Sequence, residues 1–277
     1  MAKEEKTNVL ELPTTITKPT LTAPRDLVIL GIPKIGKGTI LGDFTTTYNA
    51  LVLDLECGGY EYIPARKIST YDNDGMTEWE SFQNYIKYRN ALIAQKGKYD
   101  YLIVDGLSDL DSLSVIGGTL VYMDSTIGKK FNRRNNGLGE KIPWGDPEWK
   151  PVTSLPDGNG YQHTRKWFID QINLFKQIAP YRLYAAHLAD KFIKDDGKED
   201  VIGSEISLTG KLKTIFASKV TALCKIVADG DKRYLNFDVQ NESIVAGSRS
   251  PLLKGKILIS EKTEDGAVKT YWDKIYN

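Results

Sequence analysis

One lysine, two carboxylates and a histidine stand where they could work on a polyphosphate. Lys37 lies in Gly31-Ile32-Pro33-Lys34-Ile35-Gly36-Lys37-Gly38-Thr39, the G-x-x-x-x-G-K layout of a phosphate-binding loop. Glycines let the main chain curl until its N–H groups converge on phosphate oxygens. A helix starting at the lysine adds a partial positive charge, and Lys37 adds a whole one. The Ser or Thr that usually follows this lysine and touches Mg2+ is replaced by Gly38. Thr39, one step later, is the hydroxyl expected to hold a phosphate or a metal-bound water. Without a ligand, the same residues read as a glycine-rich turn between a strand and a helix.

Two acidic residues close apolar runs further on. Leu51-Val52-Leu53-Asp54-Leu55-Glu56 is followed by Cys57-Gly58-Gly59, and Tyr99-Asp100-Tyr101-Leu102-Ile103-Val104 leads to Asp105. Glu56, beside glycines at a strand end, is placed to act as a general base that orients water for attack on a γ-phosphate. A solvated loop glutamate fits the same spacing. Asp105 has the Walker B position, where a carboxylate holds Mg2+ through its hydration shell, or caps a helix. Tyr181-Arg182-Leu183-Tyr184-Ala185-Ala186 ends in His187, which is either a polar side chain near the γ-phosphate or a structural histidine.

The elements that must position these groups alternate between strand and helix. Strands are expected over 26–31, 51–56, 100–105 and 181–187, since short apolar runs bounded by turn residues read as buried parallel strands. Helices are expected over 37–48, 78–95, 107–124 and about 161–179. In the second, Trp79, Phe82, Ile86 and Ile93 recur at helical spacing, and in the fourth Phe168, Ile172, Phe175 and Ala179 do so. After residue 219 the pattern changes to hairpins: 220–228 and 234–239 flank Asp229-Gly230-Asp231, and 256–260 precedes 268–272. The expected architecture is therefore α/β, a mostly parallel sheet flanked by helices with antiparallel C-terminal strands. Residues 1–24 read as a flexible N-terminal arm and 25–277 as one domain, with long loops at 125–160 and 190–210. In the first loop Lys129, Lys130, Arg133 and Arg134 surround Phe131, a set that can grip phosphates while a ring stacks a base, or form a solvated charged loop. Trp144 and Trp149 are expected to pin this loop to the body.

Composition narrows the remaining classes. With 277 residues and 41 % hydrophobic content the chain is globular in type, and a net charge of +1 confines any nucleic-acid site to a local patch. No apolar run approaches the roughly 18 residues of a membrane span, and Met-Ala-Lys-Glu-Glu-Lys lacks a signal-peptide core. No membrane partner is expected. The two cysteines, Cys57 and Cys224, have no metal-ligand spacing and fit a reducing, cytosolic setting.

Taken in order, these motifs resemble the RecA-like P-loop ATPases carried by phages, in particular a family of AAA-domain NTP-binding proteins that includes single-strand annealing proteins related to Rad-type recombinases. The resemblance spans about residues 25–260. It rests on the loop at 31–39, on Leu53-Asp54-Leu55-Glu56-Cys57-Gly58-Gly59, on Leu102-Ile103-Val104-Asp105 and on Ala185-Ala186-His187-Leu188-Ala189-Asp190-Lys191. Leu208-Thr209-Gly210-Lys211 and Gly247-Ser248-Arg249-Ser250 add to it. It implies ATP and Mg2+ as cofactors, Lys37 and the loop amides on the β and γ phosphates, Glu56 as catalytic glutamate, Asp105 beside the metal and His187 as a polar sensor. It also implies self-association into a ring or filament in which a neighbour donates a basic finger, with Lys211, Lys213 and Arg249 as candidates. The implied partners are single-stranded DNA and a single-strand binding protein, in the cytoplasm of an infected bacterium. Two departures stand out: Gly38 for the metal-binding hydroxyl and Lys34 for a common glycine. The run Gly-Lys-Gly-Thr also looks like adenylate kinases. A nucleotide or small-molecule kinase, or a nucleotide-stabilised structural protein without turnover, are the rival readings.

Overall fold

The computed structural model describes residues 23–56, 59–72, 75–135, 139–195, 198–238 and 246–276, with residues 190–202 as backbone. The arm at 1–22 and the Cys57-Gly58 pair fall outside the described residues. The central strand is β1 (Asp26–Gly31), buried along its whole length. Side chains alternate across a strand, so Val28 and Leu30 enter one core while Leu27 and Ile29 enter the other. β1 runs into the phosphate-binding loop and then α1 (Lys37–Thr47). The chain returns through β2 (Ala50–Asp54), β3 (Lys67–Ser69), α2 (Glu78–Ala94), β4 (Tyr101–Asp105) and α3 (Leu107–Asp124). After the long loop come α4 (Tyr161–Ile178), β5 (Tyr181–Asp195), β6 (Lys198–Ile206) and α5 (Leu212–Lys219). The last part holds β7 (Ala222–Asp229), β8 (Lys232–Asn236), β9 (Gly247–Ser248), β10 (Lys256–Lys262) and β11 (Val268–Thr270).

The sheet order is β11-β10-β8-β7-β1-β5-β4-β2-β3, with β6 paired to β5 and β9 to β7. From β7 to β3 the main-path neighbours pair in parallel. β8, β10 and β11 extend the edge beyond β7 in antiparallel fashion. Gly230 and Asp231 form the two-residue turn between β7 and β8, with Gly230 at φ +53°. This is the expected fold class. The expected loop at 190–210 is different: β5 runs on to Asp195 and pairs with β6 as a hairpin from Leu188↔Ile206 outward. Its many charged residues mask the strand pattern, which is read from apolar alternation.

Helices α2, α3, α4 and α5 cover one face of the sheet; α1 and the C-terminal segment cover the other. α2 starts at a full capping box, with Thr77 and Glu80 exchanging hydrogen bonds. α3 and α4 approach closely because Gly117 lies under the Trp167 ring and Gly118 against the Thr164 backbone. The loop at 125–160 is pinned as expected, with Trp144 stacked on Trp79 at 6.1 Å and edge-on to Trp149. Among the described residues, no helix is long and apolar enough to cross a membrane.

Candidate functional site

Parallel strands put their C-terminal ends on one side, and the residues that could do chemistry collect there. The loop after β1 turns through Lys34 at φ +61° and Gly36 at φ +109°. Gly36 is the N-cap of α1 and has no side chain with which to occupy the first amides. That leaves a cradle of main-chain donors at a helix N-terminus, suited to an anion. Ile32, Pro33 and Lys34 are exposed on the loop, and Ile35 is half-buried. Lys37 is buried, and its ammonium donates to the carbonyls of Gly31 at 3.1 Å and Ile32 at 3.2 Å. Burial lowers its pKa, an effect opposed by the nearby charges of Glu56 and Asp105.

Asp54 and Asp105 end neighbouring strands and are paired in register. Burial raises the pKa of Asp105, while the hydrogen bond that Tyr60 Oη donates to its Oδ2 at 2.5 Å lowers it. Burial likewise pushes Asp54 up to about 6, although Ser69 Oγ donates to its Oδ2 at 2.8 Å. Asp54 Oδ1 is buried without a hydrogen-bond partner. An orphaned carboxylate oxygen beside a second buried carboxylate suits a cation. No group of three or more acidic, His or Cys side chains among the described residues forms a closed metal cage. With Asp54 Oδ1 orphaned, the pair suits Mg2+, which takes few protein ligands and keeps its waters.

Glu56 follows β2 and meets His187 through Oε1 and Nε2. His187 is the last residue of β5 to pair with β1, opposite Gly31, and Leu188 is the first to pair with β6. The Glu56–His187 contact thus sits at the root of the hairpin. Asp109, in the first turn of α3, joins this acidic group. Its pKa is raised to about 6 by burial and then by the charge of Glu56. Gly106 links β4 to α3 at φ +95°, where a Cβ would stand 2.8 Å from Asp109 Oδ2 and 3.0 Å from the Glu56 amide.

The structure brings Lys37, Glu56, Asp105 and His187 together. Thr39, with Lys34, Ile35 and Gly36 of the loop and Arg233, lines a cavity of about 210 Å3 between α1 and the antiparallel strands. Gly38 instead faces the chain that follows Glu56, with Ile63 and the Gly59 carbonyl as neighbours. Lys213 is ion-paired with Glu205, Arg249 donates to the Ser218 carbonyl at 2.6 Å, and Lys211 is the exposed N-cap of α5. Lys129, Lys130, Arg133 and Arg134 are exposed at the far end of α3, about 27 Å along that helix from Asp105 by its rise per residue. Arg134 is paired with Asp146, and Phe131 packs edge-on to Tyr122 at 5.3 Å.

Four residues escape a reading of the sequence. Asp54 carries the same strand-end signal as Asp105 and could have been found by it. Tyr60, Asp109 and Arg233 carry none. Arg233, on β8, reaches back to the phosphate-binding loop and donates from Nε to the Ile35 carbonyl at 3.0 Å.

A parallel sheet with a phosphate-binding loop on its central strand and acidic tips on the strands beyond it defines a P-loop ATPase fold. The chain belongs to a family described as AAA domain, whose model matches residues 23–250. No curated protein matches. Among solved structures, a prototypical ATPase from the type III secretion system of pathogenic bacteria is similar with a TM-score of 0.36 and 10% identity, over 74% of this chain and 52% of that one. The chain spans about half the length of that structure.

Proposed function

We propose that this chain binds ATP with Mg2+, hydrolyses it with Glu56 as general base, and couples turnover to handling single-stranded DNA in phage recombination or replication. The observation that carries the catalytic half is the convergence of Lys37, Glu56, Asp105 and His187 on one set of strand ends. In this reading the main chain at 31–38 and the Lys37 ammonium bind the β and γ phosphates. Asp105, with Asp54 beside it, holds the Mg2+ waters; the ion when bound neutralises charge on the transferring phosphoryl group. Glu56 takes the proton of the attacking water, and His187 orients the Glu56 carboxylate. Being at the hairpin root, His187 can pass a change at the phosphate to β5 and β6.

The DNA half draws support from the long loop. A hollow of about 440 Å3 has Lys130, Phe131, Arg133, Arg134 and Lys150 in its lining, with Glu148 as the one acidic residue. Asn132 braces it, exchanging hydrogen bonds of 2.8 Å with the Lys150 backbone. Cations on a braced loop suit a phosphodiester chain. α3 is the rod between this loop and Asp105. A ring or filament, with Lys211, Lys213 or Arg249 of a neighbouring copy completing the site, belongs to the same reading, as does cooperation with a single-strand binding protein.

Two variants test the catalytic half. Lys37→Ala is expected to abolish nucleotide binding in a fluorescent-nucleotide titration. Glu56→Gln is expected to retain it while turnover falls by a factor of about 10² or more, the usual worth of a positioned base. Turnover unchanged in Glu56→Gln would refute the assignment. Stimulation of ADP formation by nucleoside monophosphates would move the chain to the kinases, and binding without turnover to a structural role. For the DNA half, replacing Lys129, Lys130, Arg133 and Arg134 by Ala is expected to weaken single-stranded oligonucleotide binding and flatten its salt dependence in anisotropy titrations.

A further inference from the structure

The segment between β2 and β3 crosses the start of α1. A Cβ on Gly42 would stand 2.5 Å from Ile63 Cγ2 and 2.9 Å from the Pro64 carbonyl, so this crossing needs glycine there. At Gly38 the crossing is looser: a Cβ would meet Ile63 Cδ1 at 3.4 Å and the Gly59 carbonyl at 3.6 Å, ordinary contact distances. Next to Gly59 the chain turns Tyr60 inward. Its ring joins the core that holds Ile40 and Leu41, and only 3% of the residue is exposed. A buried tyrosine needs a partner for its O–H, and this one finds Asp105 Oδ2 at 2.5 Å.

A P-loop normally carries a hydroxyl on the residue after its lysine. Here residue 38 has none, and the segment packed on residue 38 delivers a hydroxyl to the acidic strand end. Thr39 lines the cavity beside Arg233. We propose that Tyr60 makes good the hydroxyl missing from position 38, as a positioning residue that fixes the Asp105 carboxylate for Mg2+ in the nucleotide complex. It acts through Asp105: with Oδ2 held by the phenol, the carboxylate cannot rotate freely. This rests on the reading of Asp105 as the carboxylate that serves Mg2+.

The test measures the affinity of the full chain for a fluorescent ATP analogue with and without Mg2+, and the melting temperature of each variant alone. The wild-type chain is expected to bind more tightly with Mg2+. Tyr60→Phe is expected to keep its metal-free affinity and its fold, while the gain from Mg2+ falls roughly tenfold, the scale of one hydrogen bond to a charged group. Adding Gly38→Ser to Tyr60→Phe is expected to restore the gain to within about threefold of wild type, because position 38 has room for the side chain. A packing role for Tyr60 would not be rescued at position 38. The proposal is overturned if Tyr60→Phe keeps the full gain, or if Gly38→Ser fails to restore it. Should Tyr60→Phe not fold, Gly38→Ser in the wild-type chain decides: a hydroxyl already supplied predicts no added gain, and a gain of tenfold or more overturns the proposal. A wild-type chain that binds no nucleotide refutes the proposed function itself, whereas one that binds with the Mg2+ gain intact in every variant refutes only the role of Tyr60.

Discussion

Lys37 and the carboxylates around it form a site in which burial and charge oppose each other. Removing water disfavours every ion here, so the lysine pKa falls and the aspartate pKa values rise, while their mutual attraction limits both movements. Asp109 shows the consequence for stability. In the folded chain it takes up its proton at about 6, against an ordinary value of 3.8. Between those values the folded state holds more protons than the unfolded one, so the cost of its charge is fully present at pH 8, begins to fall as pH drops through 6 and is gone only below about 3.8. Replacing Asp109 by Asn is therefore expected to stabilise the protein by about 1 kcal/mol at pH 8, a value reduced for partial exposure, and by about half as much at pH 5. Urea titrations at the two pH values check it; an equal effect at both would remove this account.

At the scale of elements, α3 and α4 fit closely. A Cβ on Gly118 would stand 2.9 Å from both the Thr164 amide nitrogen and Cα, and this neighbour is backbone that cannot swing aside. Gly118→Val is expected to cost about 1–3 kcal/mol by overpacking, read as a lower urea midpoint. β5 shows the opposite behaviour, leaving the sheet after His187 to form the hairpin with β6. One strand thereby serves both the site and the hairpin.

The whole molecule is closed by its last residues. Trp272 packs edge-on to Phe44 at 4.9 Å and donates from its indole nitrogen to the Ile40 carbonyl at 3.0 Å. Tyr276 completes the cluster against Phe44, Tyr101 and Tyr181. The opposite end of β1 is tied by a buried two-pronged pair, Arg182 donating to both oxygens of Asp26 at 2.8 Å. α1 is thus packed against the C-terminal segment on the same face of the sheet. Trp272→Ala is expected to cost about 3–5 kcal/mol and to weaken nucleotide binding, because the helix that presents Lys37 loses its backing. Calorimetry and a nucleotide titration on the same sample check both; full affinity in a destabilised variant would separate α1 placement from the C-terminal cap.

Much of this was written locally. The residues from Gly31 to Thr39 are contiguous, so the curled loop, its lysine and the missing hydroxyl at Gly38 could be read without knowing any neighbour. The apolar run ending in Asp105 likewise marked a strand end; the one ending in Glu56 overran β2 by two residues, the one ending in His187 stopped where β5 passes from β1 to β6, and the change to paired runs after residue 219 marked the antiparallel edge. Which of these ends meet was decided only by tertiary structure. Parallel strands are joined by crossovers, so sheet neighbours are remote in the chain: Glu56 meets His187 across 131 positions, Tyr60 reaches Asp105 across 45, and Arg233 reaches Ile35 across 198. The alternation of apolar and polar residues states that a strand is buried, but not which strand lies beside it. The place of β5 between β1 and β4, and with it the shape of the site, follows from packing two cores against one twisted sheet.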